Sequence, residues 1–121
     1  MEYLDKFIEL ARKLSLNSNH KQHHLGCVIT KKNKIISMGW NKTKTHPKST
    51  ARFHMLHAEI DALLGLSLQD TRGCTAYIYR ENKAGKLAMA RPCDGCELAL
   101  KQAGIKKIIY TYDNGILQEK I

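Results

Sequence analysis

Residues Arg91–Tyr110 read RPCDGCELALKQAGIKKIIY, and this stretch decides how the chain folds. A proline stands at the start of an apolar-periodic run and Gly104 stands just past its end, where each is favoured in a helix. The spacing predicts a helix over 93–103, followed by a compact buried strand, KKIIYTY, over 106–112. A helix feeding a near-continuous apolar strand is half of an α/β layer unit. Cys93 and Cys96 lie three residues apart at the helix start. Taken alone, that pair fits a redox site, half of a structural zinc site or two ligands of another centre equally well.

Working outward, the same grammar repeats. CTAYIYR (74–80) is a strand rich in tyrosine and β-branched residues, and MLHAEIDALLGL (55–66) reads as a helix. LGCVITK (25–31) and KIISMGW (34–40) are short β-type runs joined by KNK, which predicts an antiparallel pair. Residues 3–16 place Leu4, Phe7, Ile8, Ala11 and Leu14 at helical spacing, so an amphipathic helix opens the chain. NSNHKQHH (17–24) reads as polar loop, and NKTKTHPKSTARF (41–53) as basic loop. The order αββαβαβ predicts one domain over residues 1–121. It is a three-layer α/β/α domain with a central mixed sheet of four to five strands.

Composition bounds the rest. At 121 residues and 43% hydrophobic, the chain supports a single core. No apolar run reaches the ~18 residues of a membrane span, so no membrane partner is expected. The amphipathic start lacks an apolar signal core, and the expectation is a cytoplasmic, intracellular protein. Cys27, Cys74, Cys93 and Cys96 are then thiols or metal ligands rather than a disulfide framework. A formal charge of +9 points to an anionic partner, a nucleotide phosphate or a nucleic acid, against the alternative of a solvated lysine surface.

HAEI (57–60) resolves the cysteine pair. Helices that follow neighbouring strands of a layered sheet begin on the same side, which brings His57 to Cys93 and Cys96. Three protein ligands leave one zinc position open, as in catalytic rather than structural sites. The positive helix ends favour thiolate at both cysteines.

His57-x-Glu59 followed by Pro92-Cys93-x-x-Cys96 resembles the zinc signature of the cytidine/deoxycytidylate deaminase superfamily. GCVITKKNKIISMGWN is similar to the family's first hairpin, and QAGIKKIIY to the segment after its second cysteine. The resemblance implies a cytidine-deaminase-like fold. It implies one zinc per chain on His57, Cys93 and Cys96, with a bound water as fourth ligand and Glu59 as the catalytic proton carrier. The implied reaction is hydrolytic deamination of a cytosine-type nucleotide or nucleoside to the uracil form with ammonia release. Deoxycytidylate or a related monophosphate is the first expectation. The resemblance also implies that Asn41, closing GWN, bonds the sugar, although an asparagine after a strand also suits a turn. The Ala58 backbone N–H would meet the base carbonyl, and a homo-oligomer would complete the pocket wall.

Lys42 and Lys44, with Lys48 and Arg52, follow Asn41 and are placed to meet a 5′-phosphate or a nucleic-acid backbone. Three rivals remain. One is a polynucleotide deaminase acting on cytosine in single strands or adenosine in tRNA, and another is a deaminase of guanine or a modified base. The third is a nucleic-acid-binding module with structural zinc, against which Glu59 argues, because such a site has no use for the carboxylate.

Other residues carry plainer expectations. His54 is read as a pocket-edge or loop residue, and His20, His23 and His24 as solvated. Cys27 and Cys74 are read as buried core thiols. Trp40 either stacks on a base or caps the core. Two departures from the family stand out. ENKAGKLAMA (81–90), with Lys83 and Lys86 and Arg91 beside it, intervenes before the cysteines and is expected over the pocket mouth. Asn114-Gly115 signals a hairpin with an antiparallel last strand, with a helical turn as the alternative.

Overall fold

The computed structural model describes residues 2–19, 23–43 and 55–121. The elements run α1 (Glu2–Ser15), β1 (His23–Lys31), β2 (Lys34–Trp40), β3 (Lys42–Thr43), β4 (Met55–Leu56), α2 (Ala58–Leu63), α3 (Leu68–Thr71), β5 (Thr75–Asn82), α4 (Asp94–Gln102), β6 (Lys107–Tyr112) and β7 (Gly115–Lys120). Five strands form one sheet in the order β2-β1-β5-β6-β7, and β3 pairs with β4 in a small ribbon. The β5–β6 pair is parallel, while β1–β2, β1–β5 and β6–β7 are antiparallel. The expected mixed sheet is therefore present, with five strands.

Side chains alternate across each strand and divide the core in two. Val28, Tyr77, Tyr79 and Ile109 face α1, where they pack with Phe7, Ile8, Ala11 and Leu14. Cys27, Ile29, Ala76, Ile78, Ile108 and Tyr110 face the other way and pack with Ala58 and Ala62 of α2 and Leu100 of α4. This gives three layers, with α1 above the sheet and α2 and α4 below. Cys27 and Cys74 are fully buried in the lower layer, as the sequence indicated.

Two glycines let the helices sit directly on strand backbone. A Cβ on Gly39 would stand 2.5 Å from the Ala62 nitrogen and 2.7 Å from the Ala58 oxygen, so β2 admits α2 only with glycine there. A Cβ on Gly26 would collide with the Ala11 carbonyl of α1. Ser37 adds a hydroxyl bond of 2.5 Å to the Ala62 carbonyl, and the Trp40 N–H reaches Asp61 Oδ2 at 3.2 Å. These contacts fix where α2 begins.

Several boundaries differ from the sequence reading. The helix expected over 55–66 is confined to 58–63, because Met55 and Leu56 pair with Thr43 and Lys42 instead. A further short helix, α3, follows. Its Ser67–Asp70 capping box was the available signal, with Ser67 Oγ accepting from Asp70 N at 3.3 Å and Asp70 Oδ2 accepting from Ser67 N at 2.9 Å. His23 and His24, read as loop, open β1 and pair with Asn82 and Glu81. The route through α2 also skips a strand, since β5 lies beyond β1 rather than beside β2.

The excursion after β5 folds back on its own strand. Asn82 Oδ1 accepts from the Ala84 and Lys86 N–H groups at 2.9 and 3.1 Å, Glu81 bridges Leu87, and the Ala88 N–H donates to Arg80 O at 3.0 Å. The Ala90 N–H then donates to Thr111 O at 2.9 Å, delivering the chain to Cys93. At the far edge, Tyr112 pairs with Gly115, so the chain ends in a hairpin with an antiparallel β7. Among the described residues, no helix is long and apolar enough to cross a membrane.

Candidate metal centre and substrate cavity

His57 is the residue before α2, and Cys93 is the residue before α4. Their carbonyls accept the first helical bonds, from Asp61 N at 2.9 Å and Glu97 N at 2.8 Å. Cys96 lies within the first turn of α4. His57 Nδ1 stands 3.2 Å from the Cys96 sulfur and 3.9 Å from the Cys93 sulfur, and the three ligand atoms lie within 4.8 Å of one another. Zinc–ligand bonds of ~2.0–2.3 Å at a tetrahedral centre separate ligand atoms by roughly 3.5–3.8 Å, so the cluster has zinc dimensions. The donor set of two thiols and an imidazole suits zinc chemically as well. His57 and Cys93 are exposed and Cys96 is buried, so the centre is open on one side.

Glu59 adjoins it, two residues along α2 and 3% exposed. Its Oε1 is buried with no hydrogen-bond partner among the described residues. Burial raises its carboxyl above the ordinary value of 4.5, with nearby His57 pulling the other way. Burial, and then the Glu59 charge, push the Cys96 thiol up as well. A divalent ion on His57, Cys93 and Cys96 would favour the charged form of both groups. The orphaned oxygen and the donor set thus fit a zinc ion held by these three side chains.

A cavity of about 250 Å³ opens beside the cluster. Its walls include His57, Ala58, Glu59 and Cys93, and also Asn41 and Leu25 from the β1–β2 end. Asn41 is 1% exposed; its Oδ1 accepts from Leu25 N and its Nδ2 donates to His23 O, each at 2.9 Å. Lys42 is turned elsewhere. Its Nζ lies 3.1 Å from Asp61 Oδ2 and 4.2 Å above the Trp40 ring, outside the cavity lining. Trp40 packs against the cluster under α1, on the far side of the sheet from the zinc ligands. Lys44, Lys48, Arg52, His54 and His20 lie outside the described residues.

Two further wall residues, His23 and Arg80, escaped the sequence reading, whereas the excursion over 81–90 was expected at the mouth. His23, expected to be solvated, is half-buried in the cavity wall and meets Arg80, whose Nη2 lies 2.7 Å from its Nδ1. Met89, Ala90 and Arg91 complete the rim, so the end of the excursion borders the mouth. The Arg91 guanidinium is held by Glu119 of β7 at 2.9 Å and Glu97 of α4 at 3.1 Å. Tyr110 donates a short hydroxyl bond to the same Glu119 carboxylate. Only strand register brings these residues in, since Arg80 pairs with Leu25 and Ile108 with Glu119.

Comparison with known proteins agrees with this geometry. The family model for the cytidine and deoxycytidylate deaminase zinc-binding region matches residues 1–112. Human deoxycytidylate deaminase is 24% identical over 128 residues, covering 93% of this chain and 66% of the human protein. A diaminohydroxyphosphoribosylamino-pyrimidine deaminase from Buchnera aphidicola (subsp. Schizaphis graminum) is 35% identical over 109 residues, covering 88% of this chain and 63% of the relative. The chain thus spans just under two-thirds of the length of these relatives. The cyanophage S-TIM5 dCMP deaminase, solved in complex with dCMP and dUMP, superposes with a TM-score of 0.63 at 23% identity, over 90% of this chain and 80% of that one. On the match of the zinc-binding region across nearly its whole length, this chain belongs to the cytidine and deoxycytidylate deaminase family.

Proposed function

We propose that this protein is a zinc-dependent hydrolytic deaminase of an aminopyrimidine nucleotide, with dCMP or a related monophosphate as substrate. One observation carries the reading: the buried Glu59 carboxylate, unpartnered at Oε1 among the described residues, lies beside three zinc-type ligands in a cavity wall. A structural zinc site would have no use for that carboxylate. The similarity to dCMP deaminases of human and cyanophage origin supports the substrate class.

His57, Cys93 and Cys96 would hold the metal. Bound zinc lowers the pKa of a coordinated water, to about 7 in well-studied zinc enzymes, and so supplies a nucleophile at neutral pH. Glu59 receives the proton that the attacking water loses and delivers it to the ring nitrogen. The same carboxylate then takes the second proton of that oxygen and hands it to the departing amine, which leaves as ammonia while the ring carbon keeps the oxygen as a carbonyl. The Ala58 N–H would orient the base carbonyl, and Asn41 would bond the sugar. Leu25, Met89 and Ala90 give the base an apolar surround that limits bulk water.

The Buchnera relative favours a second pyrimidine substrate, because its name describes a phosphoribosylated diaminopyrimidine. Both candidates share an aminopyrimidine ring and a sugar phosphate. We take residues 1–121 as one catalytic domain acting in the cytoplasm, where thiolate ligands stay reduced. A homo-oligomer belongs to the same reading, supported by Leu64 and Leu98, which are exposed beside the metal-bearing helices.

The test is ammonia release by zinc-loaded protein from cytosine, deoxycytidine, dCMP, dCTP, the diaminopyrimidine ribotide, guanine, adenosine, single-stranded DNA and a tRNA anticodon stem. Each is run beside Glu59→Gln. Glu59-dependent turnover of a pyrimidine monophosphate is expected. Turnover confined to polymers would overturn the substrate class, and no turnover on any substrate would overturn the activity.

A further inference from the structure

Charge balance at the cavity wall separates its cations. Arg91 is saturated by two carboxylates, Glu97 and Glu119. Lys42, outside the wall, is neutralised by Asp61. Arg80 differs from both. Its guanidinium meets only neutral acceptors, Met89 O at 3.0 Å and His23 Nδ1 at 2.7 Å, and it forms no ion pair among the described residues. Its Nε is buried with no hydrogen-bond partner among them.

A guanidinium carries five N–H donors and accepts nothing. His23 Nδ1 therefore accepts from Arg80, which fixes the neutral tautomer with the proton on Nε2. The Met89 carbonyl holds the second Nη. These two neutral contacts lock the plane of the guanidinium against the cavity while leaving its charge uncompensated. A half-buried cation without a counter-charge is costly, and an anionic ligand group removes that cost. Arg80 is also rigidly seated, since it lies on β5 between β1 and β6 rather than on a loop. A preorganised planar fork of this kind matches the oxygens of a phosphate.

We infer that Arg80, oriented by His23 and the Met89 carbonyl, is the seat for the phosphate of a nucleotide substrate. This inference rests on the deaminase reading for the identity of the rest of the ligand. It moves the phosphate contact from the basic loop after Asn41 to the end of β5. It also gives the excursion over 81–90 a purpose: by folding back, it brings the Met89 carbonyl onto the Arg80 guanidinium.

The experiment compares wild type with Arg80→Gln and Arg80→Lys, all in the Glu59→Gln background so that ligands persist. Dissociation constants for deoxycytidine and dCMP are measured by calorimetry. Their ratio isolates the phosphate from any general distortion of the cavity. The ratio of deoxycytidine to dCMP constants is expected to fall by about 10- to 100-fold in Arg80→Gln, the range of a charge-assisted hydrogen bond or two. Arg80→Lys should recover part of it, because charge returns without the fork. An unchanged ratio in Arg80→Gln overturns the inference, as does an equal loss for both ligands, which marks a merely structural arginine.

A second measurement separates this inference from the deaminase reading. Ribose 5-phosphate is titrated into labelled protein, and the His23 ring and Arg80 Nε resonances are followed. If they shift in wild type but the protein deaminates nothing, the phosphate seat stands and the deaminase reading falls. If dCMP is turned over while the ratio is indifferent to residue 80, the reverse holds. Binding of neither dCMP nor ribose 5-phosphate overturns the seat outright.

Discussion

His57 Nδ1 and the Cys96 sulfur lie 3.2 Å apart although 39 residues separate them in sequence. The contact exists because α2 and α4 begin at the same end of the sheet, and each begins at a ligand. Zinc should therefore bridge two helices and stabilise the fold. At a hundredfold excess over its dissociation constant, an ion bound only by the native state adds about 2.7 kcal/mol. For a domain of this size, that is roughly 10 °C in Tm. Chelation should lower the melting temperature by about that amount, and Cys96→Ser should abolish the difference. Identical melts with and without chelator, with no zinc retained on gel filtration, would remove the metal from the structure.

Glu59 lies outside the cluster of His57, Cys93 and Cys96, and this separates its proposed role from that of the ligands. Glu59→Gln keeps the side-chain volume and removes the carboxylate that would take up and release the proton. Metal content by atomic absorption should stay at one zinc per chain. Turnover on the best substrate should fall by roughly 10²–10⁴-fold, the usual contribution of a general acid–base. A variant that keeps near-native turnover would dismiss Glu59 as the proton carrier.

Gly39 and Gly26 make opposite predictions about metal binding. Each is overlaid by helix backbone, so alanine at either overpacks the fold at a cost of about 1–3 kcal/mol. Gly39 lies under α2, which carries His57 and Glu59, whereas Gly26 lies under α1 on the opposite face. Gly39→Ala should weaken zinc binding and lower Tm together. Gly26→Ala should lower Tm with zinc affinity nearly preserved. Competition with a chromophoric chelator reads the difference directly.

The site and the fold were legible in the sequence to different depths. The candidate ligands could be singled out because His57-x-Glu59 and Pro92-Cys93-x-x-Cys96 open helices and match a known zinc signature, and the structure brings the three ligand atoms within 4.8 Å of one another. The layers could be read because the inner strands are near-continuous apolar runs between helices, buried on both faces, with Val28 turned to one face and Cys27 and Ile29 to the other. Residues that depend on register were not legible. His23 and Arg80 meet only because β1 and β5 pair antiparallel with Leu25 opposite Arg80, and nothing local in either segment states that register. Lys42 shows the same limit in reverse. Its position after Asn41 suggested a phosphate contact, but the approach of α2 supplies Asp61 at 3.1 Å and takes up its charge.

The Arg91–Glu119–Tyr110 cluster ties the last strand to the mouth of the cavity and makes stability depend on acid. The Arg91 hydrogen bond, with a smaller contribution from Tyr110, holds the Glu119 carboxyl below its ordinary value of 4.5. A carboxyl depressed in the folded state contributes stability above its unfolded pKa and loses it as pH falls through the folded one. The Tm difference between wild type and Glu119→Gln should thus be constant at neutral pH and shrink below about pH 4.5. Because the pair is solvent-exposed, the effect is small and should diminish with salt. A difference that grows on acidification would contradict the arrangement.

Asn41 allows its two readings to be tested against each other. As the end of the β1–β2 pair, its amide satisfies the Leu25 N–H and the His23 carbonyl, and its own N–H donates to Leu25 O at 3.2 Å. Asn41→Ala strands two backbone groups in a part-buried site, at a cost of about 1–3 kcal/mol. The zinc-loaded, ligand-free protein should melt lower by roughly 4–10 °C. Asn41→Asp keeps the acceptor for Leu25 but sets an oxygen against the His23 carbonyl, so it should recover little. A sugar contact predicts an additional loss that melting does not register: a higher KM for the nucleotide, measured at a temperature where Asn41→Ala is fully folded. A variant with lowered Tm and native KM would make Asn41 a strand-end residue alone.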